Sequence, residues 1–108
     1  MTTRQILVKA RKIIAEPQAW AKEAQAYTDD GEPVDFNDPA ACRYCAAAAI
    51  AVVASTVQER WEAYDALAAT LGFKQSRRIV AWNNAKRRKH TDVLAAFDEA
   101  IAAQGRKP

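Results

Sequence analysis

The chain has 108 residues, half of them hydrophobic and 27% charged, with 16 basic and 13 acidic side chains. That apolar content excludes wholesale disorder, the length fits one domain with a single modest core, and the net charge of +3 is too small to point to nucleic acid by itself. Twenty-five alanines against three glycines and four prolines favour helix over strand.

Residues 4–15 place Ile6, Leu7, Ala10, Ile13 and Ile14 on one helical face, with Arg4, Lys9, Arg11 and Lys12 on the remainder. Pro17 disfavours helical geometry at Glu16 and should end this helix. From 20 to 36 two readings stand open. Trp20–Tyr27 is rich in helix formers, whereas the turn signal Asp29-Asp30-Gly31 folds the stretch into a short β-hairpin with Val34 and Phe36 on one face and Pro33 on an edge. The hairpin is the expectation adopted here.

Asn37-Asp38-Pro39 reads as a helix start, with Asp38 as cap and Pro39 in the first turn. The helix expected over 39–54 is apolar almost all round, so it must be surrounded and sit at the centre of the fold. A further helix opens with the capping-box pattern Thr56-Val57-Gln58-Glu59, lines one face with Val57, Trp61, Tyr64, Leu67, Ala68 and Leu71, and closes at Gly72, with Phe73 folding back. The last helix should start at Thr91 or Asp92 and run to about Ala103, burying Val93, Leu94, Phe97, Ala100 and Ile101. The expected fold is therefore mainly α: one helical domain over residues 1–104 with about four helices and a short β-hairpin near 20–36, followed by a flexible tail at 105–108.

The N-terminus carries no charged stretch leading into a long apolar run, and the longest apolar run, Tyr44 to Ala54, is eleven residues. A membrane span needs about 20. Two cysteines are too few for a secreted disulfide scaffold. These features lead to the expectation of a cytoplasmic protein with no membrane partner.

The chemistry concentrates between positions 74 and 90. Lys74, Arg77, Arg78, Lys86, Arg87, Arg88 and Lys89 fall there with no acidic residue, interleaved with Trp82, Asn83, Asn84 and closed by His90. Cations neutralise phosphates, an indole stacks on bases and amides pair with base edges, so Lys74, Arg77, Arg78, Trp82, Asn84, Lys86, Arg87, Arg88, Lys89 and His90 are the candidate binding residues for nucleic acid or an acidic protein. Against this stands a plainer reading, in which the acidic stretch from Glu16 to Asp38 pairs with the cluster and Trp82 anchors the core. Trp82 is expected to be mostly buried, with Asn83 or Asn84 bonded to local backbone.

Cys42-Arg43-Tyr44-Cys45 has redox spacing, but the expected strand before it is absent and Cys45 enters the apolar stretch, as buried structural cysteines do. Cys42, Cys45 and His90 supply three candidate metal ligands where a structural zinc site takes four. No nucleophile elbow, phosphate loop or metal-binding helix motif is present, so no catalytic residue, metal or cofactor is assigned. The function expected is a non-enzymatic binding or accessory protein that meets an anionic partner through Lys74–His90. The alternative is a small thiol-dependent enzyme or redox protein using Cys45 with His90 or Cys42.

The order of signals is an N-terminal amphipathic helix, Trp20, Asp30-Gly31-Glu32-Pro33-Val34, Asp38-Pro39-Ala40-Ala41, Arg43-Tyr44-Cys45 entering an alanine-rich helix, Ile79-Val80-Ala81-Trp82-Asn83-Asn84, and Thr91-Asp92-Val93-Leu94. In this order the chain resembles a family of small uncharacterised bacterial and phage proteins, a domain of unknown function, over nearly its whole length. Ala48-Ala49 stands where that family has Gly-Ala, and Asn84 where it often has Asp. The resemblance implies an α-rich domain with a small hairpin and brings no activity with it.

Overall fold

The computed structural model describes residues 1–106. Helix α1 (Thr3–Ile13) opens on a capping box: Thr2 Oγ1 accepts the Gln5 N–H at 3.1 Å and Gln5 Oε1 accepts the Thr2 N–H at 2.9 Å. It buries Ile6, Leu7 and Ala10, and a 3₁₀ turn over Pro17–Ala19 follows. The expected hairpin forms, but only from β1 (Ala26–Thr28) and β2 (Pro33–Val34), pairing Ala26 with Val34 and Tyr27 with Pro33. Its turn needs a left-handed residue, supplied by Gly31 at φ +85°.

The stretch around 39–44 corrects the sequence reading. Asp38 Oδ1 does accept a backbone N–H, that of Ala40 at 2.8 Å, but the bond closes a local turn and no helix follows. The chain instead runs extended as β3 (Ala41–Tyr44), antiparallel to β1 with Tyr27 opposite Arg43, giving a three-stranded sheet in the order β2-β1-β3. Backbone pairing with β1, invisible to local propensity, decides the outcome. Helix α2 therefore starts only at Ala46 and ends at Val53. It remains central, as its apolar circumference requires: Ala46, Ala48, Ala49, Ile50 and Ala51 are all buried, and it packs on α1, α3 and α4.

Helix α3 (Val57–Thr70) starts with Thr56 Oγ1 accepting the Glu59 N–H at 3.1 Å, while the Glu59 carboxylate takes the Ser55 N–H at 2.9 Å rather than that of Thr56. Its buried residues are Ala63, Leu67 and Ala68; Val57 and Trp61, expected on the core face, are 63% and 51% exposed. Those two face solvent, with Trp61 set edge-on to Tyr64 at 5.6 Å between ring centroids. Gly72, at φ +80°, closes α3: the Phe73 N–H bonds the Ala68 carbonyl at 2.8 Å and the Gly72 N–H that of Ala69 at 3.1 Å. A fifth helix, α4 (Arg78–Asn84), was not expected, and α5 (His90–Gly105) begins one residue before Thr91 and outlasts Ala103. Lys107 and Pro108, the end of the expected tail, lie outside the described residues. Phe97, wholly buried, joins α5 to Leu7, Ile50 and Leu67 in one core.

Candidate functional site

The segment 74–90 is built around Asn83. Ile79 and Asn83 lie one turn apart on the inner face of α4, both buried. The Asn83 amide, fully buried, saturates its hydrogen-bonding capacity. Its Oδ1 accepts the Trp20 indole N–H at 2.8 Å and the Ala46 N–H at 3.1 Å, while its Nδ2 donates to the Ala21 carbonyl at 2.9 Å and to Asn84 Oδ1 at 3.1 Å. Asn84 Oδ1 in turn accepts the Glu23 N–H at 2.8 Å, holding a residue whose φ of +73° is uncommon outside glycine. The two amides thus tie α4 to the 20–23 strap and to the start of α2. Bonds to local backbone were expected; the partners of Asn83 instead lie mostly far along the chain.

Two cations close the C-terminal end of α4, where carbonyls lack helical partners. Lys22 Nζ donates to the Ala85 carbonyl at 2.8 Å, and Arg88 Nε to that of Trp82 at 2.9 Å. The Arg88 guanidinium sits 4.4 Å from the centroid of the Trp82 ring, so the half-buried indole is covered on that face. His90 is engaged as well: its Nε2–H donates to the Ile14 carbonyl at 2.7 Å, at the end of α1.

The ten candidate residues therefore divide. Trp82, Asn84, Arg88 and His90 are committed to internal contacts. Lys74, Arg77, Arg78, Lys86, Arg87 and Lys89 are exposed. Lys74 and Arg77 lead into α4, Arg78 opens it and the last three follow it, so the two groups lie at opposite ends of a seven-residue helix about 10 Å long. Ion pairs among the described residues are Met1–Glu59 and Arg11–Asp98; neither the acidic stretch nor any other carboxylate pairs with the six.

The cysteines occupy opposite environments, Cys42 exposed on β3 and Cys45 buried as the N-cap of α2, its Sγ accepting the Ala48 N–H at 3.4 Å. Burial pushes the Cys45 thiol up, outweighing the hydrogen bonds that would lower it. No hydrogen bond links Cys45 to Cys42 or His90. Among the described residues no three His, Cys, Asp or Glu side chains gather as metal ligands do, and no helix is long and apolar enough to cross a membrane.

Asn83 was passed over as a site residue. The signal lay in an i, i+4 pairing with Ile79 that puts an amide on an apolar stripe, legible only once 78–84 is taken as helix. Lys22, isolated among acids in the sequence, had no local signal at all.

A family model described as "Family of unknown function (DUF6197)" matches residues 1–103. No curated protein and no solved structure matches the chain significantly.

Proposed function

The chain belongs to the DUF6197 family, whose description assigns no activity, and we propose that it is a non-enzymatic accessory protein of the cytoplasm that grips a nucleic-acid backbone through Lys74, Arg77, Arg78, Lys86, Arg87 and Lys89. The observation that carries this reading is the set of six exposed cations at the two ends of α4, with no carboxylate of the described residues in ion-pair distance. Unneutralised cations of one sign attract phosphates and gain from counterion release. With Trp82 covered by Arg88 and the amide of Asn83 saturated, this surface offers charge rather than base readout, so the binding is weakly sequence-dependent.

The test is a fluorescence-anisotropy titration of labelled single- and double-stranded oligonucleotides over a salt series. Binding should weaken steeply with salt, with a log–log slope of about 0.9 per phosphate contacted, and Lys86→Glu with Arg87→Glu should remove it. No binding at low salt with tens of micromolar protein would sink the nucleic-acid reading and leave an acidic protein as the partner to seek. A surface this exposed is not where the thiol-dependent alternative would act, since the thiol it needs is buried and held protonated.

A further inference from the structure

A cleft of about 490 Å³ opens on the side of the molecule where the 23–25 strap, α2, α3 and α4 meet. Its apolar lining comes from Ala47, Ala48 and Ala51 of α2 and Val80 of α4, together with two aromatic side chains, Phe36 and Tyr64. Such a hollow, lined by small side chains and aromatics, suits a flat apolar body.

Three side chains that line this cleft carry donors with no acceptor among the described residues. The Arg60 side chain makes no hydrogen bond or ion pair with any described residue; its Nε is sealed without a partner and its guanidinium lies 5.3 Å from the Phe36 ring centroid. Asn84 spends its Oδ1 on Glu23 and Asn83, and its amide NH₂ has no acceptor. The Tyr64 hydroxyl likewise has no partner; burial pushes this phenol up, with Arg60 opposing, so it is a donor at neutral pH. The acceptors nearby leave these donors free: Gln25 Oε1 takes the Phe36 N–H at 3.1 Å, and Glu23, exposed at the cleft lining, lies outside ion-pair distance of Arg60. A planar guanidinium, a phenol and an amide with no internal acceptor fit one carboxylate, which can accept several bonds and matches the arginine fork.

We propose that this cleft binds a small carboxylic acid with a flat apolar body, the carboxylate held by Arg60, Tyr64 and Asn84 and the body seated on α2 between Phe36 and Tyr64. The cleft and the exposed cations of segment 74–90 are separate features, and neither reading depends on the other.

The test uses the intact chain and a panel of probes, benzoate, 2-naphthoate and indole-3-acetate, each against its uncharged amide, followed by ¹H–¹⁵N shifts. At least one acid should bind tenfold or more tightly than its amide, shifting the Asn84 side-chain NH₂ and the α2 amides of Ala47–Ala51. Arg60→Gln should erase that preference. Should Arg60→Gln fail to fold, Tyr64→Phe must still weaken the acid several-fold more than the amide. Lys86→Glu, away from the cleft lining, should leave the preference intact, which separates failure here from failure of the nucleic-acid reading. Equal binding of every acid and amide, absence of any shift at millimolar probe, or shifts confined to the Lys86–Lys89 turn would overturn the proposal.

Discussion

Asn83 Oδ1 accepts the indole N–H of Trp20 at 2.8 Å, joining positions 63 apart in the chain. The same oxygen holds the Ala46 N–H, so one side chain fixes the entry to the sheet, the start of α2 and the inner face of α4. Removing it strands several buried polar groups at once, each of which costs about 1–3 kcal/mol when unsatisfied. Asn83→Leu should therefore lower stability by about 3–4 kcal/mol in urea unfolding, a large fraction of what a domain this size possesses. Asn83→Asp keeps the acceptor but sets it against the Ala21 carbonyl, and should also be clearly destabilising. A loss under about 1 kcal/mol for both would show that the network is not what joins these elements.

Much of this architecture was legible in the sequence, and the failures share a cause. The stripes of α1 and α5 and the Gly72 stop needed only local pattern, and local pattern gave them. The strand Ala41–Tyr44 was read as helix because its decisive partner is β1, fifteen or so residues earlier, and propensity carries no information about that pairing. Helix α4 was missed because Ile79, Val80, Asn83 and Asn84 are indifferent helix formers; what holds it is burial of Ile79 and the Asn83 bonds. The candidate site shows the same division. Its exposed cations are a compositional fact, whereas the commitment of Arg88 to Trp82, or the idle donors of Arg60 and Tyr64, exists only after folding.

Gly72 isolates a purely conformational cost. A Cβ added there meets nothing within 4 Å, yet φ is +80°. Gly72→Ala should thus destabilise by about 1–2 kcal/mol with no steric contribution, and Gly72→Asn by less, because Asn visits the left-handed region more readily. Thermal melts of the two variants side by side decide it; equal losses would point to a contact rather than to the backbone.

The two thiols should separate cleanly. Cys42 is exposed, and burial holds Cys45 in its neutral form, so a chromogenic disulfide reagent near neutral pH should titrate one thiol in the native protein and two after unfolding. The raised Cys45 also sets a pH dependence. Above the ordinary thiol pKa of about 8.5 the unfolded chain ionises this group while the folded chain resists, so stability falls as pH rises through that value. Tyr64, also raised by burial, extends the decline to higher pH. Cys45→Ala with Tyr64→Phe should flatten the alkaline limb of the stability profile. Fast labelling of Cys45 in the native state would instead favour a reactive thiol and revive the enzymatic alternative.

Arg87 and Arg88 are neighbours with the same charge and opposite roles, and reversing them one at a time separates binding from folding. Arg87 is exposed and unpaired, so Arg87→Glu should change stability by no more than about 0.5 kcal/mol while weakening polyanion binding and lowering the salt slope by about 1. Arg88 is half-buried, stacks on Trp82 and donates to the Trp82 carbonyl at 2.9 Å. Arg88→Glu removes the cation from the ring and a charge-assisted bond from the end of α4, and it places an anion beside backbone carbonyls, so about 2–3 kcal/mol should be lost. Arg88→Lys keeps the charge but not the planar stack or the Nε geometry, and should fall between the two in stability while leaving the salt slope unchanged. The readouts are a urea melt and the anisotropy salt series for all three variants. If Arg87→Glu proved as destabilising as Arg88→Glu, Arg87 would have a carboxylate partner within the fold, and the case for an unneutralised basic surface would fail with it.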